Sequence, residues 1–96
     1  MNELKKRVRL KITGRVQGVF FRSETLRTAR YLNIAGWVRN CSDGSVEALL
    51  EGPTEKVDRM IDWCRRGPSL ANVTSINISE EPCRGQYNDF TIHQTE

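Results

Sequence analysis

Apolar and polar positions alternate near the start of the chain, where Val8, Leu10 and Ile12 are separated by Arg7, Arg9 and Lys11. This period of two predicts a half-buried strand over 5–13, with the basic side chains forming a solvated face. From about Phe21 the spacing lengthens to Leu26, Ala29 and Leu32, one face of a helix that Asn33 stops. Gly36-Trp37-Val38-Arg39-Asn40 then reads as a second strand, and Val46, Ala48 and Leu50, alternating with Glu47, Leu49 and Glu51, as a third. Between them, Ser42-Asp43-Gly44-Ser45 contains the Asp-Gly pair that supplies the positive φ of a tight hairpin. Gly52-Pro53 opens a second helix with proline at its first position, and Val57, Met60, Ile61 and Cys64 give that helix an apolar stripe. Gly67-Pro68 ends it. Val73, Ile76 and Ile78 mark a fourth strand whose uneven spacing implies a bulge or an offset start. Phe90 and Ile92 give a short last one.

The order strand–helix–strand–strand–helix–strand is the split βαβ plan of ferredoxin-like folds, with one short strand added. The expected class is α+β: an antiparallel sheet of four to five strands with two helices on one face. A chain of 96 residues is read as a single domain over 1–96, large enough to bury a core without staples.

Composition narrows the functional classes. The N-terminus has no apolar signal core, and no run approaches the roughly 18 apolar residues of a membrane span. Cytoplasmic location is the expectation, with no membrane partner. Cys41, Cys64 and Cys83 match neither a zinc pattern nor a redox pair, which fits a reduced compartment. A net charge of +3 attracts small anions but is too weak to argue for nucleic acid. The strand positions facing away from the core, Arg7, Arg9, Lys11, Glu47 and Glu51, include no aromatic on which bases would stack, so an RNA-binding module is disfavoured.

The chemistry concentrates at the first crossover, Gly14-Arg15-Val16-Gln17-Gly18-Val19-Phe20-Phe21-Arg22. Glycines let a chain curl so that successive N–H groups share a centre, and a helix start presents unpaired N–H groups with a positive dipole end. Arg22 in the first turn adds a guanidinium fork that suits phosphate. An ordinary tight turn would carry similar glycines. The stretch lacks the Lys-Ser/Thr pair of a Walker A loop and the spacing of a dinucleotide fingerprint. Strands one and two run parallel in the split plan, so Asn40 falls on the same rim as the loop. There its amide either caps the turn or holds a water by donating and accepting at once. The lone His93 reads as a surface or edge residue rather than a general base, Cys41 as a small hairpin side chain and Asp43 as part of the turn. Such a site can cleave only a bond whose leaving group departs unprotonated. A carboxylate, with a pKa of roughly 4, meets that demand; the substrate class is then an acyl phosphate.

The same residues resemble a known family. Gly14 to Arg22 is similar to the signature of the acylphosphatases, and Gly36-Trp37-Val38-Arg39-Asn40 with Asp43-Gly44-Ser45-Val46-Glu47-Ala48 resembles their second signature. Gly67-Pro68 and Phe90-Thr91-Ile92 also fall where that family has similar residues. The resemblance implies metal-independent hydrolysis of the carboxyl–phosphate bond with no cofactor. It implies that Arg22 binds the phosphate, that Asn40 positions the attacking water, and that the backbone N–H groups of Val16, Gln17, Gly18, Val19, Phe20 and Phe21 form a phosphate loop. Inorganic phosphate is then product and competitive inhibitor, and a monomer is the default at this size. Two departures stand out: Cys41 where some members carry Thr, and Asn33-Ile34 in place of Gly-Leu. The alternative is a non-catalytic anion- or partner-binding domain of the same fold.

Overall fold

The computed structural model describes residues 4–96. Its elements, in chain order, are β1 (Lys5–Arg15), α1 (Phe21–Tyr31), β2 (Ala35–Asn40), β3 (Val46–Pro53), α2 (Thr54–Arg66), β4 (Asn72–Glu81) and β5 (Phe90–Ile92). They form one sheet in the order β4-β1-β3-β2-β5. β1 and β2 both pair antiparallel with β3, so they run in the same direction and their C-terminal ends share a rim. The split βαβ plan is therefore present, with β5 as the added strand.

Three ladders are antiparallel, but β5 lies parallel to β2, with Gly36 opposite Phe90 and Val38 opposite Ile92, so the sheet is mixed. A three-residue strand carries too little pattern to reveal its direction. The bulge expected in β4 is real: Thr13 pairs with Ser75 and Gly14 with Val73, which leaves Thr74 as the extra residue. Pro53 closes β3 and stands at the N-cap of α2, one place before the first helical position expected for it.

The core lies between the sheet and the two helices. Val8, Leu10 and Ile12 from β1, Val46, Ala48 and Leu50 from β3, and Val57, Met60, Ile61 and Cys64 from α2 are all buried there. Burial pushes the Cys64 thiol up to about 12 by desolvation of its charged form. On α1 the innermost residues are Phe21, Thr25 and Ala29, with Leu26 and Leu32 flanking them. Thr25 breaks the apolar pattern and so escapes a reading by periodicity. All three cysteines are free.

The opposite face of the sheet is not the solvated surface that the sequence predicts. Arg7 is only 4% exposed, Glu51 8% and Leu49 0%. The segment after β4 folds back across them: Arg84 and Gly85 donate their N–H groups to Glu51 Oε2 at 3.1 and 2.9 Å, and Arg7 Nη1 donates to Gln86 Oε1 at 2.9 Å. Arg7 also holds Glu51 and Glu81, and Arg9 bridges Glu81 and Glu47. Arg39 completes the row on Glu47. The hydrogen bond from Arg9 holds the Glu81 carboxyl below its ordinary pKa. Trp37 lies on this face as well, under the Arg39 and Arg9 guanidinium groups and stacked on His93 with ring centroids 5.1 Å apart.

Candidate active site

The loop between β1 and α1 is anchored by alternate burial. Val16, Val19 and Phe21 are sunk in the core, and Phe21 meets Trp63 edge-on at 5.7 Å, while Gly18 and Phe20 stay outside. Gly18 takes φ 74° and Phe20, at the N-cap of α1, takes φ 67°. These two left-handed residues curl the backbone ahead of the helix. Phe20 offers no side-chain cap. The N–H groups of Gln17 through Ser23 find no protein acceptor among the described residues, and the first to do so is Glu24, on Phe20 O at 3.0 Å. A run of unpaired donors at the positive end of a helix is a site for an anion.

Arg22 in the first turn and Asn40 at the end of β2 line one cleft of about 360 Å³ with Val16, Gly18, Phe20 and Ile92. Among the described residues the Arg22 side chain forms no ion pair or hydrogen bond. Asn40 Oδ1 is buried and likewise without a partner, so this side chain does not cap the turn. Both residues border the same space. Gln17 and Val19 are not among the residues that line the cleft.

The Gln17 side chain has a separate task that spacing did not reveal. Its Nε2 donates to Cys41 O and Ser45 O, both at 2.8 Å, and so ties the loop to the hairpin that follows Asn40. Asp43 stiffens that hairpin by accepting from Ser45 N at 3.0 Å and Ser45 Oγ at 2.6 Å. The Lys11 ammonium, with help from Ser45, holds the Asp43 carboxyl well below the usual carboxylate range. On the other side, Glu96 N donates to Asn40 O at 3.0 Å and Glu96 O accepts from Ser42 N at 2.7 Å. Asn40 is thus held at its backbone while its amide stays free. His93 stacks on Trp37 on the far face of the sheet, away from the cleft. No group of three His, Cys, Asp or Glu side chains among the described residues gathers as a metal site.

Comparison with known proteins gives a consistent result. A family model described as Acylphosphatase matches residues 8–92. The acylphosphatase of Methylococcus capsulatus is 46% identical over 87 residues, covering 91% of this chain and 95% of its own. That of Syntrophobacter fumaroxidans is 48% identical over 88 residues, 92% of this chain and 91% of its own. The crystal structure of acylphosphatase from Bacillus subtilis superposes with a TM-score of 0.88 at 34% identity, covering 92% of this chain and 98% of that one.

Proposed function

The chain belongs to the acylphosphatase family, and from that premise we propose how its own residues carry out the hydrolysis of acyl phosphates. The enzyme cleaves the carboxyl–phosphate bond to give a carboxylate and inorganic phosphate. In our reading the phosphoryl oxygens sit in the curl of N–H groups from Val16 to Arg22, with the Arg22 guanidinium closing over them. Asn40 accepts from and donates to a water that attacks phosphorus in line with the departing carboxylate. The P–O bond to the acyl group breaks as the water's oxygen bonds phosphorus, and a phosphoryl oxygen takes the water's proton. The sum is RCO–OPO₃²⁻ + H₂O → RCOO⁻ + H₂PO₄⁻, with no protein acid or base needed.

Such a transition state asks for position and for stabilisation of spread negative charge, and fixed amides with an unpaired guanidinium supply both. The observation that carries the reading is that Arg22 and the unpartnered Asn40 amide meet at one cleft, beside a run of donors with no acceptor. Inorganic phosphate, which presents the same oxygens as the substrate, acts as competitive inhibitor. The protein works as a cytoplasmic monomer and a single domain without metal or cofactor; its three free thiols suit a reducing compartment.

Hydrolysis of benzoyl phosphate in isotopically labelled water, with excess chelator present, tests the direction of attack. The label is expected in inorganic phosphate. Label in benzoate would mean attack at the carbonyl carbon and would remove the role given to Asn40.

A further inference from the structure

Phe20 is an anomaly on two counts. It is a bulky residue at φ 67°, a conformation that L side chains rarely adopt, and its side chain is 69% exposed. Glycine would make the same curl without strain and without placing a ring in water. Ile92, at the C-terminal end of β5, is 41% exposed and lines the same cleft. Because β5 runs parallel to β2, Ile92 reaches the rim that carries Asn40. Arg22 is the one charged residue of the cleft lining. Beside the polar Ser23 and Asn40, the cleft therefore offers two exposed apolar side chains, Phe20 and Ile92, and no second charge.

We propose that Phe20 and Ile92 form a shelf for the acyl group, so that the enzyme selects acyl phosphates with an apolar, uncharged acyl part, aromatic ones above all. The proposal rests on the phosphate position assigned above and adds the part of the substrate which that assignment leaves open. An aromatic acyl group gains contact with the Phe20 ring. A second anionic group would lose hydration there and find no further cation in the cleft lining, since Arg22 is engaged by the phosphoryl oxygens. Phe20 also borders a neighbouring hollow with Leu70 and Trp63. The acyl group is assigned to the Ile92 side because Arg22 and Asn40 lie on that side.

The test compares kcat/KM for benzoyl against acetyl phosphate, and for butyryl against succinyl phosphate, which differ mainly in a carboxylate. The wild type is expected to favour benzoyl and butyryl. Phe20→Gly keeps the curl and removes the ring, so the benzoyl-to-acetyl ratio should fall about fivefold while thermal stability holds or rises. Ile92→Ser should lower both ratios, and Leu70→Ser should leave them unchanged. An unchanged ratio in Phe20→Gly, a wild type that favours succinyl phosphate, or a fall in Leu70→Ser but not in Ile92→Ser would overturn the shelf. A wild type inert towards all four substrates would instead contradict the proposed site itself, and the shelf with it.

Discussion

Arg7, Arg9 and Arg39 on the back face of the sheet each hold a carboxylate, whereas Arg22 at the cleft holds none. The residue type is the same, and both regions lie within one small sheet. On the back face the guanidinium groups lock strands and the 82–89 segment together, and their hydrogen bonds are used up in doing so. At the cleft the cation sits in the first turn of α1, the end of a helix that disfavours positive charge. Glu24 shares that turn, but among the described residues no carboxylate pairs with the Arg22 guanidinium. A cation left unpaired where the fold gains nothing from it is free to act on a ligand. The contrast separates guanidinium groups spent on the fold from one left free for a ligand.

That separation can be broken most strongly at Arg22. Arg22→Ala should lower kcat/KM for benzoyl phosphate about a thousandfold, a loss of about 4 kcal/mol in transition-state binding. Chemical denaturation should show stability unchanged or slightly raised, because a repelled first-turn cation is gone. A large loss of stability instead would place Arg22 with the structural arginines. Glu51→Ala should behave in the opposite way. It leaves the buried Arg7 guanidinium and the N–H groups of Arg84 and Gly85 without their acceptor, and should reduce stability by about 3 kcal/mol. Steady-state kinetics at a temperature where the variant is fully folded should match the wild type. Gln17→Ala is the smallest of the three. It frees the loop from Cys41 O and Ser45 O and should lower kcat about tenfold, or about 1.4 kcal/mol. The inhibition constant of inorganic phosphate should move far less, since the N–H curl is intact.

The two regions also differ in how far the sequence discloses them. The cleft was legible because its information is local: two glycines, an arginine in the first helical turn, and a strand-end asparagine carried to the same rim by the parallel run of β1 and β2. The hairpin and the stripe on α2 were legible for the same reason. The back face was not. Arg7 and Glu51 look like solvated positions until the chain some 33 to 79 residues further on folds over them. That segment has no periodicity to announce it. Leu49 likewise reads as an outward position, yet it is buried between its register partners Trp37 and Arg9 on the neighbouring strands. The direction of β5 and the N-cap place of Pro53 depend on tertiary pairing that short stretches do not encode. Gln17 was visible as part of the loop, but its tie to the hairpin exists only in three dimensions.

The central claim is that Arg22 and the loop amides hold the phosphoryl group while Asn40 aims the water. Kinetics of Asn40→Ala on benzoyl phosphate, run beside inhibition by inorganic phosphate, address it most directly. The expected result is a fall in kcat of about a hundredfold or more with the phosphate inhibition constant within about twofold of wild type. A variant that keeps near-full kcat, or one that loses phosphate affinity in step with kcat, would contradict it.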